Sequence, residues 1–449
     1  MFGNLKSVYR QLCLITSPAL FAWFSLLTAC SPADDYQPQP LQGIIIIIGD
    51  GMGLSMISEA SLEKGRPLYL ETMPVVGLQK TSSATGSVTD SAAAITAMLS
   101  GHKTYNEWIG LDSRSNRVTT FFEIAKSRNW STAIISTSSV THATPAGAFV
   151  HIRNRHNDET IANQIAQNPP DILIGGGRDY FIPALAKLLP EEASPTHLPK
   201  ENLLSDPSDP ASNEGVDSAM DSLRYHGLQL DYSKFMESKC STLCINGEPT
   251  DRFLGLLARD HLPPVRVEHR IKYFKKSKTR DSAGPGSPAP DKTKANLDFS
   301  VIPEPEHRKD FLQLASLRSL RTLESRDRPF LMLIEGSQID WGGHANASDY
   351  AISELMDLDE TLGALLQETE GKNILIIVTA DHETGGHAIL EGSPGQKQKS
   401  DFLTHGHSAE MVPVYARGPG AETFTGTYEN TEIFHKLLAV MEASPAISH

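Results

Sequence analysis

The chain has 449 residues, of which 39% are hydrophobic, and a formal net charge of −14. This length suits one large α/β domain or two ordinary ones. The acidic balance argues against a nucleic-acid coat or a general binder of membrane surfaces. It leaves phosphate esters open as substrates, because bound metal ions can create a local positive site in an acidic protein.

The first 29 residues are typical of an export signal. Lys6 and Arg10 precede a short apolar run that Pro18 interrupts, which is too short for a comfortable transmembrane helix. The sequence Leu-Thr-Ala-Cys at 27–30 is similar to a bacterial lipobox, which predicts cleavage before Cys30 and a lipid on that residue. Ser31 gives no signal for retention at the inner membrane. A plain signal peptide with an incidental cysteine is the alternative. Residues 30–42 then predict a flexible tether.

Two cysteines remain after the signal and the lipidated position. Cys240 and Cys244 can close a small local disulfide in an oxidising compartment, or they can stay unpaired. Two thiols without further ligands do not make a metal site.

Short apolar runs recur along the chain and predict strands that are buried on both faces. They lie at 43–48, 133–135, 171–174, 330–334 and 374–378. Helical patterns lie between them, including an alanine-rich segment at 91–100 that Gly101 can end, and an amphipathic segment at 348–367. This alternation predicts an α/β fold: a single large domain with a central, mostly parallel sheet flanked by helices. We expect its core at 43–184 and 326–449.

The middle of the chain has a different character. Residues 185–325 are polar and rich in proline, which predicts a long irregular insertion on the core, with some helix of its own at 251–260. A basic run at 266–280 is more typical of a solvated face than of a binding site. The stretch at 281–291 is of low complexity.

Acidic residues follow three of the predicted strands. Asp50, Glu335 and Asp381 each come at or just after the end of an apolar run. Ligands of open α/β sheets bind beyond the carboxyl ends of the strands, so these acids should converge in one crevice. Converging carboxylates repel each other unless they are protonated or bridged by cations. The pattern therefore predicts a metal centre.

Histidines strengthen this prediction. Asp340 and His344 are four residues apart, on one face of a helix if that segment is helical. Asp381 and His382 are adjacent, and His407 lies in a short His-Gly-His sequence with His405. Carboxylate and imidazole together form a zinc-type ligand set.

Ser91 follows Thr89 and Asp90 at the start of the alanine-rich helix. The N–H groups and dipole of a helix N-terminus favour an anion, and a hydroxyl beside a metal can ionise and attack phosphorus. The alternative is that one of these three residues simply caps the helix.

Five segments, in this order, resemble the alkaline phosphatase family. They are Ile-Ile-Gly-Asp-Gly-Met-Gly at 47–53, Thr-Asp-Ser-Ala-Ala at 89–93, Thr-His-Ala-Thr-Pro-Ala at 141–146, Glu-Gly-Ser-Gln-Ile-Asp at 335–340 with His344, and Thr-Ala-Asp-His-Glu-Thr-Gly-Gly at 379–386. The resemblance covers about 43–180 and 328–420. It implies hydrolysis of small phosphate monoesters through a phosphoserine at a site with two zinc ions and one magnesium ion. It also implies a possible homodimer.

The resemblance assigns roles to individual residues. The first zinc would be held by Asp340, His344 and His407, with His407 preferred to His405 on spacing. The second zinc would be held by Asp50, Asp381 and His382, with the nucleophile Ser91. Asp50 would also reach the magnesium, with Thr144 and Glu335. Arg155, preferred to Arg153 on register alone, would clamp the phosphate with its planar fork.

Two positions depart from the well-studied enterobacterial members. His142 stands where those enzymes have aspartate, and Trp341 stands where they have lysine. A histidine at this place resembles animal and some other bacterial members, and it can bind the third ion directly and weaken its preference for magnesium. Trp341 removes a positive group, which predicts weaker inhibition by phosphate.

Three other functions compete with this interpretation. A lipoprotein that stores metal or binds anions would need neither Ser91 nor Arg155. Phosphodiesterases of the same superfamily usually have threonine as nucleophile and lack the third site, and sulfatases need a modified cysteine or serine in a different motif.

Overall fold

The computed structural model describes residues 40–181, 228–266, 268–269 and 304–444. The predicted signal at 1–29, Cys30, most of the tether, the low-complexity stretch and nearly all of the basic run lie outside the described residues. Among the helices that are described, none is both long and apolar enough to cross a membrane.

The described elements alternate between strands and helices. The strands are β1 Gly43–Gly49, β2 Val75–Lys80, β3 Ser131–Ser139, β4 Ile172–Gly176, β5 Leu228–Gln229, β6 Cys244–Ile245, β7 Glu248–Pro249, β8 Phe253–Leu256, β9 Phe330–Gly336, β10 Ile374–Thr379, β11 Glu383–Thr384, β12 His387–Glu391, β13 Lys399–Phe402, β14 His407–Ser408, β15 Val412–Arg417 and β16 Gly426–Glu429. The α-helices are α1 Leu54–Lys64, α2 Ser91–Ser100, α3 Phe121–Ser127, α4 Ala143–Ala146, α5 Asp158–Gln167, α6 Tyr232–Glu237, α7 Phe311–Glu324, α8 Gln338–His344, α9 Ser348–Glu368 and α10 Thr431–Ala443. Two 3₁₀ turns span Leu70–Thr72 and Ala421–Phe424.

Ten strands form one sheet in the order β16-β2-β15-β10-β1-β9-β3-β4-β8-β5. Strand β15 runs antiparallel to both of its neighbours, and the other pairs in the sheet are parallel. The α/β fold with a mostly parallel central sheet is thus confirmed, as are the strands predicted from the five apolar runs.

The central strand β1 explains why these runs are apolar without alternation. Ile44, Ile46 and Ile48 pack into the hydrophobic core on one face of the sheet, whereas Ile45 and Ile47 pack into the core on the other face. A strand covered on both faces needs an apolar side chain at every position.

The two predicted helices form where the sequence placed them. All ten residues of α2 are buried, which explains its small side chains, and Gly101 ends it in the left-handed conformation at φ 74°. Helix α9 extends one residue beyond the predicted segment and buries its apolar stripe, including Ile352, Leu355 and Leu362.

The described parts of the middle region belong to the core of the fold. Strands β5 and β8 extend the main sheet beyond β4, and Phe311 and Leu320 of α7 are fully buried. The helix predicted at 251–260 was wrong, because its apolar residues form β8 and the segment after it. A short buried apolar run fits a strand as well as a helix, and pairing with β4 decided between them. Cys240 and Cys244 form a disulfide.

Candidate active site

Three neighbouring strands deliver the predicted acids to one place. Strand β1 lies between β10 and β9, so Ile48 pairs with Thr379 on one side and with Glu335 on the other. Asp50 and Asp381 follow directly beyond these strand ends. Asp50, Glu335 and Asp381 are all fully buried. The parallel register of the sheet therefore concentrates carboxylates at its carboxyl edge, as the sequence predicted.

A first group of possible metal ligands consists of Asp340, His344 and His407. Helix α8 places Asp340 and His344 one turn apart, with His344 Nε2 3.3 Å from Asp340 Oδ1. His407 Nε2 lies 3.5 Å from the same carboxylate oxygen and 3.1 Å from His344 Nε2. Three possible ligand atoms, from two segments that are distant in the sequence, therefore lie close together.

His405 has a different position. Its backbone carbonyl accepts a hydrogen bond from His344 Nδ1 at 2.5 Å, so that His344 Nε2 is directed to Asp340 and His407. Such a hydrogen bond at the remote nitrogen typically orients a metal-binding histidine. His407 itself donates from Nδ1 to the carbonyl oxygen of Thr89.

A second group lies deeper and consists of Asp50, Asp340 and His382. His382 Nε2 is 3.6 Å from Asp50 Oδ1 and 3.1 Å from Asp381 Oδ2. Asp340 therefore lies between the first and second groups, and Asp381 adjoins the second. Ser91 Oγ lies 3.3 Å from His382 Nε2 and 3.4 Å from Asp50 Oδ2.

A third group consists of Asp50, His142 and Glu335. Asp50 Oδ1, Glu335 Oε1 and His142 Nδ1 are buried and make no hydrogen bond with the described part of the chain. Thr144 lies beside Glu335, and its buried hydroxyl also lacks a well-formed hydrogen bond. Buried polar atoms without partners are uncommon, and several around one point are accounted for by a bound cation.

The electrostatics of the cluster also fit cations. Burial, with the carboxylates of Asp381 and Asp340, raises the pKa of Asp50 well above its usual value. Burial raises the pKa of Glu335 to about 7, despite a hydrogen bond from Ser136. Burial and the charge of Arg155 lower the pKa of His142 well below its usual value, which keeps the imidazole neutral and able to bind a metal. The donor set thus fits divalent cations.

Ser91 is the first residue of α2, and Asp90 is the residue that caps this helix. Asp90 Oδ1 accepts a hydrogen bond from the Ala93 N–H, which leaves the Ser91 hydroxyl free of a capping role. The sequence left the choice of cap open among Thr89, Asp90 and Ser91. The backbone of α2 supplies the positive end of its dipole next to Ser91.

The two candidate arginines point to different places. Arg155 is nearly buried, with Nη1 3.1 Å from Asp90 Oδ2 and Nη2 3.0 Å from His142 Nε2. Arg153 lies over the ring of Trp108 at 5.2 Å and bonds Ser115. The structure therefore brings Arg155, but not Arg153, to the acids and histidines.

Three further residues at the site escaped the sequence prediction. Thr384 Oγ1 lies 2.5 Å from Asp340 Oδ1 and 3.2 Å from His382 Nδ1. Ser136 donates to Glu335 Oε2 at 2.5 Å. The ring of His261 lies 4.7 Å from that of Trp341. Thr384 is in a recognised segment and could have been singled out there, whereas His261 follows β8 in the region that the sequence suggested was an insertion.

A model of the alkaline phosphatase family matches residues 41–399 and 393–443. The chain belongs to this family. The matched range includes the middle region, which agrees with the packing of β5, β8 and α7 into the core.

Individual relatives of the family cover nearly the whole chain. Alkaline phosphatase 3 of Bacillus subtilis (strain 168) is 26% identical over 98% of both chains, and the tissue-nonspecific isozyme of Gallus gallus is 26% identical over 90% of this chain and 76% of its own. The solved alkaline phosphatase of the Antarctic bacterium TAB5 is 31% identical, with a TM-score of 0.66, and the match covers 90% of this chain and 99% of that one. A histidine-to-aspartate mutant of that enzyme, described with Mg bound in its M3 site, is 30% identical with the same coverage and TM-score.

Membership of the alkaline phosphatase family makes the protein a phosphomonoesterase. Family membership also supports metal binding by the three groups of acids and histidines.

Proposed function

We propose that this alkaline phosphatase hydrolyses phosphate monoesters in two in-line displacements, with Ser91 as the nucleophile. The observation that supports this best is the position of Ser91 Oγ, between Asp50 and His382 and at the N-terminus of α2. A hydroxyl in this place can reach a phosphorus atom whose oxygens face the helix dipole and the metal ligands.

In the first displacement Ser91 Oγ bonds to phosphorus, its proton passes to solvent, and the bond to the leaving alkoxide breaks. The alkoxide takes a proton from water and departs as the alcohol. A water molecule then attacks the phosphoserine and loses a proton to solvent, the bond between phosphorus and Oγ breaks, Oγ takes up a proton, and inorganic phosphate leaves. Arg155 binds phosphoryl oxygens with its fork throughout and is held by Asp90.

We propose that two zinc ions and one magnesium ion occupy the three groups. Asp340, His344 and His407 would hold the first zinc ion. The second would be held by Asp50, Asp381, His382 and Ser91, and the magnesium ion by Asp50, His142, Thr144 and Glu335. When bound, the cations supply positive charge that favours the ionised serine and the transferring phosphoryl group.

One panel of substrates tests this function against its rivals. The purified protein is assayed with p-nitrophenyl phosphate, its diester bis(p-nitrophenyl) phosphate and p-nitrophenyl sulfate, each with and without a chelator. We expect rapid turnover of the monoester alone, and its loss with chelator. Preference for the diester or the sulfate, or activity that resists removal of metal, would contradict the proposal. A metal-storing lipoprotein would turn over none of the three.

We propose export, cleavage before Cys30 and a lipid on that cysteine, which would place the enzyme on the cell envelope, and a homodimer by analogy with the family. A Cys30→Ser variant should move from the membrane to the soluble fraction. Equal amounts of both proteins in the membrane would contradict the anchor.

A further inference from the structure

The two ring nitrogens of His142 face two different charged groups. Nε2 lies 3.0 Å from Arg155 Nη2. Nδ1 is buried, has no hydrogen-bond partner among the described residues, and lies 4.0 Å from Glu335 Oε1 in the group with Asp50. A neutral imidazole carries one N–H and one lone pair, so its two nitrogens cannot act alike.

The position of the single proton decides which neighbour His142 can satisfy. A guanidinium only donates hydrogen bonds, so the contact with Arg155 requires the lone pair on Nε2 and the proton on Nδ1. A cation in the group with Asp50 and Glu335 requires the lone pair on Nδ1 instead, which moves the proton to Nε2. Two donors would then face each other at the distance of a hydrogen bond.

We propose that a cation bound by Asp50, His142 and Glu335 and the hydrogen bond between His142 and Arg155 exclude each other. Binding of the cation would release Arg155 Nη2 toward the phosphoryl group. His142 is then a positioning residue for the arginine as well as a ligand. This inference rests on the proposed function, because it takes the third group to be a metal site.

The side chains around His142 leave its imidazole little room to move away from Arg155. The rings of His261 and Trp341 contact it edge to face, with centroids 5.9 and 6.5 Å away. The imidazole is therefore confined between these two rings, Glu335 and Arg155. Arg155 has more freedom, because, apart from its contact with His142, the described part of the chain holds its guanidinium through Nη1, by Asp90 Oδ2 at 3.1 Å. The guanidinium can thus turn while it stays anchored.

Release of Nη2 couples the third cation to phosphate. Loss of the contact with His142 frees one of the two N–H groups of Arg155 Nη2 for a phosphate oxygen, so the cation and phosphate should favour each other's binding. Linkage requires this coupling to be equal in both directions.

Calorimetric titration with Mg²⁺ tests the proposal without turnover. The zinc-loaded, full-length enzyme is titrated with Mg²⁺ in the presence and absence of saturating inorganic phosphate. The wild type is compared with Arg155→Lys and with the matched control Arg153→Lys. Both variants keep the positive charge, but a lysine at 155 is shorter and has one nitrogen in place of the two that contact Asp90 and His142.

We expect Arg155→Lys to bind Mg²⁺ about tenfold more tightly than the wild type without phosphate, the worth of one charge-assisted hydrogen bond. The tightening that phosphate causes in the wild type should shrink by the same factor in this variant, and Arg153→Lys should match the wild type. An unchanged Mg²⁺ affinity in Arg155→Lys would overturn the inference.

A second measurement uses the wild type alone, in case Arg155→Lys does not fold. Crystal structures with and without Mg²⁺ should differ in the distance between His142 Nε2 and Arg155 Nη2. A cation on Nδ1 with this distance still at hydrogen-bond length would also overturn the inference. Neither result bears on the proposed function. A different measurement would contradict that function, namely monoester hydrolysis by a variant that lacks the Ser91 hydroxyl.

Discussion

The imidazole of His407 stacks on that of His382, with the ring centroids 3.6 Å apart and 19° between the planes. His382 follows β10, whereas His407 belongs to β14, which pairs with β11 just beyond His382. This short two-stranded sheet fixes a loop from late in the chain onto the end of the central sheet. The first and second ligand groups are therefore built as one rigid unit.

Ser91→Ala should abolish most monoester hydrolysis, by about 10³-fold or more, because it removes the attacking oxygen. Metal content should stay close to that of the wild type, since acids and histidines supply the other ligands. Ser100→Ala, in the same buried helix, is the control and should keep its activity, because the Ser100 hydroxyl donates to the Thr96 carbonyl. Rates and metal content by mass spectrometry check this, and full activity of Ser91→Ala would exclude the nucleophile.

Arg155→Ala should lower kcat/KM by about 10²–10³-fold, the usual cost of removing one group that stabilises the transition state. Arg153→Ala should change it little, because its side chain contacts Trp108 and Ser115 instead of the acids and histidines. Steady-state kinetics with p-nitrophenyl phosphate distinguish the two. Equal losses, or a larger loss at 153, would reverse the assignment.

His407→Ala should lose one zinc ion per chain and most activity. His405→Ala should keep both zinc ions, because residue 405 orients His344 through its backbone carbonyl, which the substitution retains. Metal analysis after dialysis measures the stoichiometry. Loss of zinc from His405→Ala, with zinc retained in His407→Ala, would contradict the assignment of His407 to the first zinc ion.

Trp341→Lys should bind inorganic phosphate more tightly than the wild type, because it places a positive charge near His142 and the phosphate site. A single added charge at about 4–6 Å in a partly solvated site is worth roughly 1–2 kcal/mol, or about tenfold in the inhibition constant. Trp341→Phe retains an aromatic ring without a charge and serves as the control. Competitive inhibition by phosphate gives the comparison, and an inhibition constant as low in the wild type as in Trp341→Lys would contradict the prediction.

Removal of metal should make stability fall as pH rises above 6.5. In the metal-free protein burial raises the pKa of Glu335 from 4.5 to about 7, and the hydrogen bond with Asp340 raises the pKa of His344 from 6.5 to about 9. Both groups bind their proton more tightly in the folded chain. Their contribution to stability is therefore present at low pH, and it is lost between pH 4.5 and 7 for Glu335 and between 6.5 and 9 for His344.

The loss from Glu335 is on the order of 3 kcal/mol, and Asp50 acts in the same direction. The lowered pKa values of Asp340 and Asp381 act below 3.8. Those of His142 and His261 make stability rise with pH, but only below 6.5, so the fall is measured above that pH. Urea denaturation of chelated enzyme between pH 6.5 and 9 measures the trend. The metal-loaded enzyme is the control and should not show this fall, because cations favour the ionised ligands. A chelated enzyme that is more stable at pH 9 than at pH 6.5 would contradict the prediction.

The sequence by itself determined the central sheet and the positions of its acids. A strand such as β1, covered on both faces, must be apolar at every residue, so it is visible as a run, and Asp50 is then marked as the first charged residue after that run. The helix of Ser91 was equally clear, because its small residues and Gly101 are local signals.

Only the tertiary structure shows which of two neighbouring candidate residues lies at the site, and that the described part of the middle region packs into the core. Arg153 and Arg155, like His405 and His407, are two residues apart and chemically alike, so only long-range partners such as Asp90 and Asp340 distinguish them. The segment of β8 is a strand because β4 offers it an open edge. Local sequence encodes burial and capping, whereas contacts between distant segments depend on where the whole sheet brings the chain, and that information is not contained in any one segment.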